Sequence, residues 1–170
     1  ETKEIANFYA TPTNNLAIGV WRGGYTGIGN CNTTLQTLSE NTGNIAPDIL
    51  ERCLGEAYFL RAHYYFILVR CFGGVPIRTV PAEVDDPKDI ARNSITEVYD
   101  LIIKDCKEAI SRLPQKNELA PADLGRATKD AAYTQLAKVY LTLASYGDTY
   151  QLLAPEEGFF QAVVNLCDQI

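Results

Sequence analysis

At 170 residues, with 46% hydrophobic and 21% charged side chains, the chain has the composition of a single globular domain, long enough to bury roughly 70% of its unfolded surface. A formal net charge of -6, with the 15 Lys and Arg scattered rather than massed, argues against a nucleic-acid partner. No apolar run approaches the roughly 20 residues a membrane-crossing helix needs; the densest, Ala62 to Val69, is short and flanked by Arg61 and Arg70.

Glu1 to Glu4 is charged, so no signal peptide opens the sequence. Between about Asn15 and Leu38, Trp21, Tyr25, Ile28, Asn32 and Leu35 recur at the spacing of one helical face and predict a long first helix. Gly19, Gly23 and Gly27 repeat every fourth residue; each lowers helix propensity, but together they predict a flat stripe against which another helix packs closely. A phosphate-cradling loop is excluded by order, because Gly23 to Gly29 matches neither glycine-rich phosphate motif.

Turn formers from Asn41 to Pro47 make a connection, and Ile49 to Phe72 then carries apolar residues all round the helical wheel, the pattern of a central helix. Gly73-Gly-Val-Pro76 ends it. An acidic loop from Pro81 to Pro87 precedes Ser94-Ile-Thr-Glu97, a capping box that starts a third helix. In that helix Ile95, Val98, Tyr99, Ile102, Ile103, Cys106, Ala109, Ile110 and Leu113 keep helical spacing until Pro114.

Thr128 can cap a fourth helix to about Ser145, with Ala132, Leu136, Val139, Tyr140 and Leu143 on one face and Ala137 and Leu141 widening it. Phe160, Val163, Val164 and Cys167 mark the inner face of a fifth, whose pattern is still running at Ile170 and reads as part of a longer chain. No stretch alternates with period two, so the expected fold is all-α, a single unit over residues 1–170 built of about five helices in tetratricopeptide-like hairpins.

His63 is the single histidine, so a histidine-based triad or multi-histidine metal site has nothing to be built from; it is expected packed or at the surface. The five cysteines, Cys31, Cys53, Cys71, Cys106 and Cys167, form no C-x-x-C pair and read mostly as small buried side chains. Glu83, Asp85, Asp86 and Asp89 lack EF-hand alternation and read as a solvated loop. No motif calls for a cofactor or metal, and no local carboxylate pair marks a glycosidase.

Four blocks carry a resemblance: Trp21, Tyr25, Ile28 and Asn32; the run Gly55-Glu-Ala-Tyr-Phe-Leu-Arg-Ala-His-Tyr-Tyr-Phe66 continuing to Pro76; Arg92-Asn-Ser94 with Val98 and Tyr99; and Gly125 to Ala132 with Leu136 to Leu141. In order and spacing they resemble the SusD/RagB family of outer-membrane nutrient-binding lipoproteins of Bacteroidetes. The resemblance implies a tetratricopeptide-like scaffold, a lipid anchor on the outer face of the outer membrane, non-catalytic glycan binding, and a SusC-like TonB-dependent transporter as partner. The family's lipobox cysteine and its long C-terminal portion, which supplies much of the ligand-facing loop structure, are not among these residues. The alternatives are a peptide ligand, or a tetratricopeptide-like adaptor gripping a protein segment.

Aromatic side chains cover the apolar faces of sugars while amides and carboxylates bond hydroxyls, which makes loop aromatics the candidates for ligand contact. Phe8 and Tyr9 lie in such a loop and are the candidate ligand-binding residues. Trp21 stands in helical register and reads as packing. Tyr58, Tyr64, Tyr65 and Phe66 read as core, with Glu56 and Arg61 satisfying their hydroxyls or pairing with neighbouring helices.

Overall fold

Side-chain caps set where three of the helices begin. Asn14 accepts through its side chain from the N–H groups of Leu16 and Ala17, and Thr128 does the same for Ala131. Pro47 opens the second helix, where a missing N–H costs nothing. Ser94 and Glu97 close the expected reciprocal box: the Ser94 N–H donates to the Glu97 carboxylate at 2.7 Å and the Glu97 N–H to Ser94 Oγ at 3.2 Å.

In the computed structural model, which describes residues 6, 7, 11, 13–82 and 90–170, five α-helices result. They are α1 (Asn15–Glu40), α2 (Pro47–Phe72), α3 (Ile95–Arg112), α4 (Lys129–Ala144) and α5 (Phe159–Cys167), with short 3-10 turns in the connections and no strand among the described residues. Each helix packs on its neighbours in sequence. Pairs such as Gly24 with Leu68 and Trp21 with Phe72, or Phe66 with Tyr99 and Arg61 with Asp105, run in opposite directions along the two partners, so the helices form a series of antiparallel hairpins.

The central position of α2 explains its all-round apolar wheel. One side meets α1 and the other meets α3, where Tyr65, Leu68, Val98, Tyr99, Ile102 and Cys106 are buried together and joined by Leu136, Val139 and Leu143 of α4. Burying each such aliphatic or aromatic side chain stabilises the fold by about 1.5–3 kcal/mol. Gly55 is required at the α2–α3 crossing, since a Cβ there would lie 2.9 Å from Leu113 Cγ. Gly73 leaves α2 with a positive φ of 71°, and a Cβ on Gly74 would sit 2.2 Å from the Asn93 carbonyl oxygen, so the Gly-Gly pair lets two backbones touch.

The glycine stripe of α1 differs from its expected packing. Gly27 admits the Tyr64 ring and Gly24 admits Leu68, whereas nothing lies within 4 Å of a Cβ on Gly19 or Gly23. A step of four residues turns about 40° too far at 3.6 residues per turn, so the stripe drifts off the buried face. The phase of α5 is also corrected. Phe159 and Ala162 are buried, while Phe160 (70% exposed), Val164 (51%) and Cys167 face outward. On α4, Ala137 is buried but Leu141 is exposed. Of the five free cysteines only Cys31 and Cys106 are buried; Cys53 is half-buried and Cys71 and Cys167 are exposed.

Candidate functional site

The family-like run in α2 builds a polar knot. Arg61 lies in the buried middle of the helix and all three of its guanidinium nitrogens donate: Nε and Nη2 to Asp105 Oδ2 and Oδ1 of α3, each at 2.8 Å, and Nη1 to Asn32 Oδ1 of α1 at 2.9 Å. Asn32 passes the connection on, its Nδ2 donating to the carbonyls of Arg78 (3.1 Å) and Val80 (3.0 Å). Tyr65 does likewise, its hydroxyl donating to the Arg78 carbonyl at 3.0 Å and accepting from the Arg78 N–H at 2.7 Å. Three helices thereby fix the strand-like segment after Pro76, to which Tyr25 also donates through the Pro76 carbonyl at 2.7 Å.

Burial decides the direction for the two acidic groups of the knot. It raises the Asp105 pKa although Arg61 pulls it down, and it raises the Tyr65 pKa against the bonds from Arg78. Arg61 is held above its ordinary value, because its bonds and attraction to Asp105 outweigh the desolvation that pulls the other way. A guanidinium with both carboxylate oxygens at 2.8 Å stays charged, and so does its partner.

Above this knot α1, α2 and the 79–81 segment enclose an open cleft of about 650 Å³, within the usual range of small-ligand sites. Its wall includes Leu35, Gln36, Ser39, Tyr58 and Val80. Tyr58 has two guanidiniums near its ring, Arg61 5.4 Å and Arg112 5.8 Å from the ring centre, so cation–π attraction helps to fix its place on the wall. An aromatic ring, an amide and hydroxyls suit a polyhydroxylated ligand.

Phe8 and Tyr9 lie outside the described residues, as do Glu83, Asp85, Asp86 and Asp89. Trp21 is half-buried, 4.9 Å from the Tyr25 ring and 5.1 Å from Phe72, in packing as expected. Tyr65 and Phe66 are buried, Tyr58 and Tyr64 half-buried, and His63 exposed. Glu56 and Arg61 serve no tyrosine hydroxyl; Glu56 pairs with Arg126 at 2.6 Å and Arg61 with Asp105. Sequence reading missed Asp105, although an acid between Ile102, Ile103 and Cys106 on an otherwise apolar face signals a buried cation partner.

A family model described as "Starch-binding associating with outer membrane" (SusD-like) matches residues 2–141. The chain belongs to the SusD-like family. It is 33% identical over 147 residues to a SusD-like protein P2 of Formosa agariphila, a match covering 85% of this chain and 28% of that protein. A SusD-like protein of Bacteroides ovatus is 27% identical over 146 residues, covering 85% and 26%. The chain thus spans about a quarter of the length of these curated relatives. Among solved structures, a SusD-like protein of Bacteroides fragilis superposes with a TM-score of 0.77 at 28% identity, over 95% of this chain and 28% of that one. A laminarin-binding SusD-like protein superposes with a TM-score of 0.67 at 32% identity, over 74% and 26%. The tetratricopeptide-like scaffold read from the sequence is therefore the fold of this family.

Proposed function

We propose that residues 1–170 act as one helical unit of a cell-surface protein that holds an oligosaccharide without cleaving it and passes it to a SusC-like TonB-dependent transporter. The family match over residues 2–141 carries this reading, since that family is described as starch-binding and outer-membrane associated. The laminarin-binding relative supports a glycan over a peptide. The cleft beside Tyr58 supplies a ring platform and hydrogen-bonding groups, and Phe8 and Tyr9 are proposed as further aromatic contacts from the N-terminal side. A lipid anchor on the outer face of the outer membrane completes the proposal. Transfer to a transporter needs affinity and release, not chemistry.

Native gels cast with starch, laminarin or other polysaccharides test it. Retardation by at least one, weakened by Tyr58→Ala or Phe8→Ala, is the expected result. No retardation by any glycan, with clean binding of a helical peptide, replaces the reading with an adaptor. Sugar release over time replaces it with a hydrolase.

A further inference from the structure

A second groove of about 680 Å³ lies at the other end of the helix series, between α3, α4 and α5. Its floor is apolar, with Ile110, Leu136 and Leu166. Set into it is Tyr140, whose side chain packs on Phe159 with ring centres 5.8 Å apart and is 3% exposed. The Tyr140 hydroxyl has no hydrogen-bond partner among the described residues, yet it is not sealed from solvent. A buried phenol that lines a groove without a partner keeps its hydrogen bonds for a ligand, whereas Tyr65 and Tyr25 spend theirs on backbone groups.

The walls match that anchor. Tyr133 lies seven residues before Tyr140 on α4, about 10 Å along the helix and on the same face. Asn165 of α5 and Gln169 just beyond its end also line the groove, and Asn165 accepts from Gln161 at 3.0 Å, which leaves its own amide N–H groups for a ligand. Glu157 closes one end; its charge contributes, after burial and the Cys106 thiol, to holding the Tyr140 pKa up. Phenol, amide and carboxylate together offer donors and acceptors to hydroxyl groups, which are themselves both. An apolar helix laid here would instead strip water from Lys107, Glu157, Asn165 and Gln169 and leave the Tyr140 hydroxyl unpaired.

We infer that the α4–α5 groove is a second saccharide site, which takes a short neutral oligosaccharide along α4 with a sugar hydroxyl on Tyr140 and Glu157. The inference rests on the glycan reading above but concerns a separate surface, and the two fail differently.

The test follows amide chemical shifts of the 170-residue chain during titration with laminarihexaose and maltoheptaose, together with oligosaccharides of any other polysaccharide that retards it on gels. The expected shifts cluster at 133–140 and 162–169, and Tyr140→Phe, which keeps the ring against Phe159, weakens that binding about five- to tenfold, the worth of one hydroxyl hydrogen bond. Gln169→Ala, at an exposed position, provides a second variant free of folding effects. Shifts confined to the α1–α2 cleft, with both variants binding like wild type, overturn the groove and leave the glycan reading standing. No shift and no retardation with any glycan overturn both. Shifts in the groove from a helical peptide and from no sugar overturn it in favour of protein docking.

Discussion

Asp105→Ala isolates the energetics of the buried knot. The substitution removes two bonds of 2.8 Å and leaves the Arg61 guanidinium, 5% exposed, with Asn32 Oδ1 and the distant Thr79 carbonyl at 3.5 Å. An uncompensated charge in such a site costs about 3–5 kcal/mol. A chain of this length has roughly 5–15 kcal/mol of total stability, so a large fraction disappears. At about 2–4 °C per kcal/mol for this size, Tm falls by about 6–20 °C. Urea unfolding followed by circular dichroism reads the same quantity. Arg61→Leu with Asp105→Leu separates lost charge pairing from lost shape: two apolar side chains recover most of the ion-pair cost, but Asn32 Oδ1 then lacks a donor, which costs about 1–3 kcal/mol. The double variant is therefore expected to be more stable than Asp105→Ala and less stable than wild type. A cost under about 1 kcal/mol for Asp105→Ala would refute the reasoning, since it would mean that water reaches Arg61 and the pair behaves as a surface one.

Three further outcomes follow from the helices. Gly27→Ala places a Cβ 2.3 Å from the Tyr64 ring and is expected to cost about 1–3 kcal/mol, whereas Gly23→Ala meets nothing within 4 Å and gains up to about 1 kcal/mol; equal effects in urea unfolding would contradict the drift of the stripe. The bonds from Ser94, side chain first and then backbone, hold the Glu97 pKa below its ordinary 4.5, so the unfolded chain binds the proton more readily. That contribution is complete above 4.5 and lost as pH falls through the lowered value; the Tm advantage of wild type over Glu97→Gln should close on acidification, and a pH-independent difference would count against it. Burial pushes the Cys31 and Cys106 thiols up to about 11 and about 12, so a thiol reagent on the native chain should label Cys71 and Cys167 quickly and reach Cys31 and Cys106 only on unfolding, as mass spectrometry of the peptides would report.

Helices and caps were legible in the sequence because their causes are local. Ser94 and Glu97, Thr128 and the Gly73-Gly74 exit each act within a few residues, and the all-round apolar wheel of α2 already implies partners on two sides; Pro47, read as the end of a connection, is instead the first residue of α2. Faces were legible only where the periodicity had one solution. In α3 a charged face opposes an apolar one, which fixes its phase; α5 is apolar nearly all round over nine residues, so the spacing points to Phe160 while the tertiary partner Tyr140 takes Phe159 into the core. The candidate sites were the least legible. Tyr58 acquires its place from Arg112, 54 positions away, and the Tyr140 groove needs a wall from α5, so neither exists as a run of residues.

Most of the recognisable segment of the chain is spent on the scaffold, with Tyr58 the side chain that it gives to the wall of the α1–α2 cleft. Arg61, Tyr65 and Gly55 in α2 are spent on Asp105, on Arg78 and on the α3 crossing, so substituting them alters the scaffold before it alters any binding surface. What this knot positions is the segment from Pro76 to Val80, whose carbonyls are taken by Tyr25, Asn32 and Tyr65 while Val80 stays 66% exposed at the rim of the α1–α2 cleft. Such an arrangement separates two demands: the recognisable residues keep the segment's backbone in place, and the exposed side chains on it are free to differ. On the proposed glycan reading, exchanging Thr79, Val80 and Gln36 changes which oligosaccharide the cleft prefers with little change in urea stability, whereas Asn32→Ala releases the segment and lowers affinity for every glycan alike. Equal selectivity changes from both sets would show that the knot itself touches ligand.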